Sequence, residues 1–172
     1  MLPARAVSRS ASRNCLLLAC LFFALPTIVR AQSALEKLRA DYAAQANPAD
    51  RAKVLAKLAP HEMAAARALA NAGNDDQALA AIGKFRDEVL ATSRALIDSG
   101  IDAARHPGGF RELQISLRMF LRRLDDLMLS VRQDERSGFR DIKSDLETAQ
   151  NSLIDALFPK SDTKRPSGKG AQ

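Results

Sequence analysis

The chain has 172 residues, of which 47% are hydrophobic and 27% are charged, with a formal net charge of +6 at pH 7. It contains no tryptophan, one tyrosine and no alternating Val, Ile and Thr run of the kind that predicts strands. Its two cysteines both lie within the first 20 residues. Disulfide frameworks, thiol nucleophiles and thiolate metal sites are therefore excluded from the remainder of the chain.

Residues 1–31 have the pattern of a secretory signal peptide. Four arginines and no acid accompany an apolar run at residues 15–25. That run is too short to cross a hydrocarbon core of about 30 Å as a helix. Val29 and Ala31 are residues suited to the −3 and −1 positions of a cleavage site, so we predict export and cleavage after Ala31.

Two alternatives for this segment stay open. It could remain uncleaved as an anchor, or Cys20 could be lipidated, because residues 17–20 (LLAC) resemble a lipobox. A lipobox ends the apolar run, whereas here residues 21–25 continue it, which argues against lipidation.

Removal of residues 1–31 would leave 22 basic and 20 acidic residues, so much of the positive charge belongs to the targeting segment. Residues 160–172 hold four basic residues, one acid and no large apolar side chain, and we predict a disordered basic tail there. The intervening residues 32–159 carry 18 basic and 19 acidic side chains. This near-neutral body gives no electrostatic signal for nucleic-acid binding.

Residues 32–159 are predicted to form one all-α domain of about five helices. Ser33 and Glu36 have the spacing of a capping box for the first helix. Asn47 and Pro48 predict the start of the second helix. Pro60 either kinks this helix or opens another one, and because the apolar periodicity runs through Pro60 we expect a kinked helix near residues 48–72.

Three further helices follow, each with an apolar residue at alternating spacings of three and four. Gly73 and Asn74 predict the turn into the first of them, with Asn74 as the N-cap. These seams predict an antiparallel helical bundle in which the last two helices form a coiled-coil-like hairpin. The seams are Ala78, Ile82, Phe85, Val89, Thr92 and Leu96; Phe110, Leu113, Leu117, Phe120, Leu124, Leu127 and Val131; and Phe139, Ile142, Leu146, Ala149, Leu153 and Ala156.

Two resemblances accompany this pattern. Ala66, Leu69, Gly73, Ala78 and Ile82 resemble the spacing of one tetratricopeptide-type helical hairpin, without the repetition that such arrays require. Residues 105–113 (RHPGGFREL) and 153–159 (LIDALFP) resemble a group of small exported bacterial helical proteins of unknown function. The second resemblance implies export and a helical body, and it supplies no active site.

No residue is predicted to be catalytic, cofactor-binding or metal-binding. His61 and His106 lack the spacing of metal ligands, and the sequence around Ser99 has no nucleophile elbow. The adjacent acids, such as Asp75 and Asp76, are predicted to be solvated because neighbours on a helix point about 100° apart.

Four residues are candidates for an interaction site: Arg111, Arg118, Arg122 and His106. The arginines line one flank of a predicted helix and would suit an acidic partner. The alternative is a solubilising set of ion pairs such as Arg122 with Asp126. His106 precedes a Gly-rich turn whose amides could hold an anion, or the turn only redirects the chain. The basic residues are not interleaved with the aromatic residues that single-stranded nucleic-acid binding requires.

Together these patterns predict a non-enzymatic interaction or accessory module in the cell envelope, periplasmic or secreted, with another envelope protein as its partner. We expect a monomer or weak homodimer, no cofactor, no nucleic acid, and only weak membrane contact. The alternative is a membrane-associated protein tethered by an uncleaved or lipidated N-terminus, with its basic tail at the lipid surface.

Overall fold

A computed structural model describes residues 35–159, and all regular secondary structure in this range is α-helical, with no strand. The predicted all-α class is therefore confirmed for these residues. The helices are α1 (35–44), α2 (Pro48–Asn71), α3 (Asp75–Asp98), α4 (Phe110–Ser130) and α5 (Arg136–Leu157). The predicted signal peptide, the capping residue Ser33 and the predicted tail at residues 160–172 lie outside the described residues.

The second helix begins and ends as its sequence predicts. The Asn47 side chain accepts a hydrogen bond from the Ala49 N–H at 2.9 Å, and Pro48 occupies the first helical turn. The helix continues through Pro60 and ends before Gly73, whose φ of +77° is the left-handed conformation that favours glycine.

The start of α3 differs from the prediction in two respects. Asn74 occupies the N-cap position, but its side chain makes no capping hydrogen bond. Asp76 is exposed as expected, whereas Asp75 is only 4% exposed, so the prediction that Asp75 is solvated is wrong. The Arg132 backbone N–H and Nε both donate to Asp75 Oδ2, at 3.2 and 3.1 Å. Arg132 follows α4 and lies 57 positions away in the chain, a distance at which helical periodicity is uninformative.

Each of the four long helices packs on two others: α2 packs on α3 and α4, and α5 packs on α3 and α4. Phe85 of α3 and Phe120 of α4 stack in the core, with ring centroids 4.5 Å apart. Every residue of the three predicted seams is buried, except that Ala156 is half-buried. The predicted inward faces of α3, α4 and α5 are thereby confirmed.

One glycine allows α3 and α5 to approach closely. A Cβ atom on Gly138 of α5 would lie 2.8 Å from Leu79 Cδ2 of α3, which is closer than packed carbon atoms approach. A Cβ atom on Gly83 would lie 3.8 Å from Ile142 Cδ1, an ordinary contact. Arg86 Nη1 and Asp145 Oδ2 form an ion pair of 3.3 Å across the same two helices. The α3–α5 contact is thus filled along this stretch.

Candidate interaction surface between α2 and α4

An open groove of about 480 Å³ lies between α2 and α4. Its floor is apolar. One hydrogen bond links the two helices there, since Ser116 Oγ of α4 donates to the Ala56 carbonyl oxygen of α2 at 3.0 Å. Ile115 and Met119 remain 46% and 53% exposed beside this floor. The apolar lining consists of Ala56, Ala59, Pro60 and Met63 from α2, and Ile115, Met119 and Phe120 from α4.

The composition of α2 explains why the groove stays open. Ala56 and Ala59 face α4 with single methyl groups, and Pro60 adds a short ring in place of a long side chain. The small side chains fill less of the space between the helices than Leu or Phe would. An adjoining hollow of about 420 Å³ extends the groove to Asn71 and shares Pro60, Met63 and Arg123 with it. From Lys53 to Asn71 the helix runs about 27 Å, at about 1.5 Å per residue.

The rim of this surface is predominantly basic. Lys53 and Lys57 of α2 and Arg123 of α4 line the first hollow with one acid, Glu112, and Arg67 of α2 lines the second. Lys53 Nζ donates a hydrogen bond of 2.8 Å to Asp50, and this bond and the carboxylate charge raise the pKa of Lys53. Within residues 35–159, no acid lies within ion-pair distance of Lys57, Arg67 or Arg123.

The three predicted interaction arginines lie beside the groove. Arg111, Arg118 and Arg122 are all exposed, and their spacing places them on one outward face of α4. On the same helix, Ile115 and Met119 lie between this face and the groove floor, as the rotation of about 100° per residue requires. The arginines, with the rim and floor residues, form what we call the α2/α4 surface.

The predicted alternative, in which these arginines solubilise the helix through ion pairs along it, stays a prediction. Arg122 and Asp126 form no ion pair in this part of the chain. The neighbouring acid Asp125 instead bonds to Lys143 Nζ of α5 at 2.6 Å. That bond raises the pKa of Lys143 and directs the carboxylate away from the groove.

His106 lies in the loop before α4 and is exposed. Its backbone N–H donates to the Asp102 carbonyl oxygen at 2.8 Å. The Gly109 N–H, one of the amides predicted to be available to an anion, donates to Glu112 Oε2 at 2.6 Å. The chain thus supplies a carboxylate of its own at the start of α4, and the anion-binding role of His106 stays a prediction.

Gly109 also fixes the position of this loop on α2. Its φ is +86°, and a Cβ atom there would lie 2.8 Å from the Ala49 carbonyl oxygen. The backbones at the starts of α2 and α4 therefore touch at a point where only glycine fits. The sequence shows Gly109 as a turn residue, but it cannot show this contact with Ala49.

A buried polar cluster under α1 was not predicted. Glu62 of α2 is 2% exposed and forms an ion pair of 2.7 Å with Arg39 of α1, although the geometry is not that of a hydrogen bond. The Tyr42 hydroxyl shares a hydrogen bond of 3.0 Å with Thr92 Oγ1. Burial raises the pKa of Glu88. The positive charges of Arg39 and Lys84 lower this pKa in part, and the negative charges of Glu62 and Asp87 raise it further.

Two features are absent from residues 35–159. No group of three or more His, Cys, Asp and Glu side chains is placed to hold a metal ion there. None of the helices in this range combines the length and the apolar character needed to cross a membrane.

No family model, no curated protein and no solved structure matches this chain. The resemblances of residues 66–82 to a tetratricopeptide-type hairpin, and of residues 105–113 to small exported proteins, therefore stay predictions. The α2/α4 surface is left as the feature on which a functional interpretation depends.

Proposed function

We propose that this protein is a non-enzymatic interaction module of the cell envelope, which binds a partner protein along the α2/α4 surface. The observation that carries this proposal is the combination of an apolar floor, two half-exposed apolar side chains and a basic rim. Contiguous exposed apolar residues surrounded by polar ones are typical of interaction sites. Interface cores are likewise depleted in charge, with charged residues at the edge.

A macromolecular partner suits the groove better than a small molecule does. Small-molecule pockets enclose about 70–90% of the ligand surface. The α2/α4 groove is open along its length, and Ile115 and Met119 on its edge remain exposed to solvent. Such a surface is suited to a partner that continues beyond the groove and also covers Arg118 and Arg122.

Export is the second part of the proposal, and it rests on the pattern of residues 1–31. Cleavage after Ala31 would leave Gln32 as the new N-terminus. The alternative is tethering to the membrane through an uncleaved segment or a lipidated Cys20, with the basic residues 160–172 adding weak attraction to anionic lipid. The mass of the N-terminal peptide of the mature protein distinguishes these outcomes.

We also propose that the long helices form an antiparallel bundle in which α4 and α5 are a coiled-coil-like hairpin. The contact between α4 and α5, their buried seams and the Asp125–Lys143 bond support this arrangement. If the exposed apolar surface binds a different protein, we expect the bundle itself to be a monomer or a weak homodimer. Sedimentation of the purified protein measures that state.

In-cell photocrosslinking tests the interaction function. A photoreactive amino acid replaces Met119 on the α2/α4 surface or, as the control, Asn151 on the exposed face of α5. We expect a discrete adduct in the envelope fraction from position 119 and none from position 151. The same adducts from both positions, or none from position 119 in folded and exported protein, would contradict the proposal.

A further inference from the structure

We infer that the segment bound on the α2/α4 surface is an acidic amphipathic helix of a partner protein. This inference rests on the proposed interaction function and names the chemistry of the partner. It depends on three properties of the surface, namely its shape, its charge and the absence of a suitable occupant elsewhere in this chain.

The shape of the surface is that of a groove between two helices, into which a third helix can pack. Helix-in-groove recognition uses apolar anchors at positions i, i+3, i+4 and i+7 of the bound helix. Ile115 and Met119 supply exposed apolar side chains on the receiving side, beside the buried Met63 of the floor. The span of about 27 Å from Lys53 to Asn71 corresponds to about 18 residues of bound helix.

Charge sets the composition of the bound helix. Basic side chains lie along both edges of the groove, Lys57 and Arg67 on α2 and Arg123 on α4, with the exposed arginines of α4 beyond it. A bound helix would therefore carry Asp or Glu on both sides of its apolar stripe. Lys53 already has Asp50, and Glu112 lies at the same end of the groove, so the acids of the partner belong nearer Lys57, Arg67 and Arg123.

The two terminal segments of the sequence are unsuited to be this helix. Residues 1–31 carry four arginines and no acid, and residues 160–172 are net basic, so the rim repels both segments. A second copy is also unsuited, because within residues 35–159 the other exposed large apolar side chains are single residues on separate elements: Ile97, Leu129 and Phe158. None of these forms an exposed apolar stripe several turns long.

The inference is tested with a fluorescent synthetic peptide of about 18 residues. It has Leu at the i, i+3, i+4 and i+7 positions and Glu on both flanks, and its affinity is measured by anisotropy. The protein is purified after expression of the full chain. The Lys57→Glu/Arg123→Glu variant reverses two rim charges. The Lys84→Glu/Arg94→Glu variant makes the same change in net charge on the exposed face of α3.

We expect the peptide to bind the unchanged protein, with an affinity that falls as salt is added. The rim variant should bind at least about ten-fold more weakly, and the α3 variant should match the unchanged protein. Melting curves of both variants establish that they are folded. Equal weakening in the two variants, or equal binding of a peptide with Lys in place of Glu, would overturn the inference.

Sodium dodecanoate provides the competing probe, because an anionic amphiphile shares the charge and apolar character of the helix. Binding of dodecanoate that the rim variant abolishes, together with no binding of the peptide, would also overturn the inference. An adduct at position 119 in cells without peptide binding would remove the acidic-helix inference and leave the interaction function standing. Absence of both would remove both.

Discussion

The α3–α5 and α2–α4 contacts join long helices of the same chain, but only one of them is closed. Between α3 and α5, Gly138 lies directly against Leu79, and the Arg86–Asp145 ion pair crosses the contact. Between α2 and α4, small side chains such as Ala56 leave a groove with a basic rim. The difference shows that small residues have opposite effects in the two places. Gly138 lets α5 approach α3, whereas Ala56, which faces the small Ser116 of α4, leaves space.

This comparison separates residues that stabilise the fold from residues that are available for binding. Substitutions in the shared core and in the backbone contacts should reduce the free energy of unfolding. Substitutions of the exposed rim and edge residues of the α2/α4 surface should leave it nearly unchanged and reduce binding instead.

The largest effect is expected for Leu124→Ala in the core seam of α4. Leu124 is completely buried, and truncation of a buried leucine costs about 2–5 kcal/mol of unfolding free energy. The neighbouring Arg123→Ala changes an exposed rim residue and should alter stability by less than about 0.5 kcal/mol. Urea denaturation measures both. Similar small losses from the two variants would mean that the seam is not buried.

Gly109→Ala should be the next most destabilising change. It places a side chain in the left-handed region, at about 1–2 kcal/mol, and forces a Cβ against the Ala49 backbone, at about 1–3 kcal/mol more. The matched control is Gly73→Ala, where φ is +77° but no atom lies within 4 Å of the added Cβ. Thermal denaturation should therefore rank Gly109→Ala below Gly73→Ala. An equal loss in both would exclude the contact between the starts of α2 and α4.

Asp75→Ala should reduce the unfolding free energy by about 1–3 kcal/mol, because the Arg132 backbone N–H and Nε lose their acceptor. The control is the adjacent and exposed Asp76→Ala, for which we expect a change within about 0.5 kcal/mol. Chemical denaturation of the two variants compares a buried carboxylate that bonds to Arg132 with a solvated carboxylate in the same first turn of α3. A larger loss from Asp76→Ala would contradict the observed burial.

The closed α3–α5 contact is tested by alanine at its two glycines. Gly83→Ala has room for its Cβ and should raise the unfolding free energy by about 0.5–1 kcal/mol through helix propensity. Gly138→Ala should lose this gain, because Leu79 must move to admit the methyl group. Differential scanning calorimetry should give Gly83→Ala the higher melting temperature. The reverse order would show that α3 and α5 are not in close contact at Gly138.

The smallest effect concerns Glu88, outside both contacts. Burial raises the pKa of Glu88 in the folded protein above its ordinary value of 4.5. Between the ordinary pKa and the raised pKa, the folded state therefore binds more protons than the unfolded state. Its contribution to stability is therefore fully present below pH 4.5 and is lost as the pH rises through the raised pKa. Glu88→Gln should flatten this part of the pH–stability profile. Urea denaturation at several pH values measures this profile. An unchanged profile in the variant would contradict the burial of this carboxyl group.

The sequence predicted the helices and their buried faces because both depend on local periodicity, as in the seams of α3 and α4. It also placed Arg111, Arg118 and Arg122 on one face. It missed the groove beside them, since that requires knowing that Pro60 and Met63 of α2 lie across from Met119 of α4. It misjudged Asp75 for the same reason, because Arg132 reaches it only through tertiary contact.

A backbone amide NMR titration of the labelled protein with the acidic helix peptide tests the location of the binding surface most directly. We predict chemical-shift changes along residues 53–71 of α2 and along residues 112–123 of α4. Exposed positions of α3 and α5, such as Arg94 and Asn151, should keep their shifts. Changes concentrated on α3 and α5, with α2 and α4 unaffected, would contradict the assignment of the open side as the binding surface.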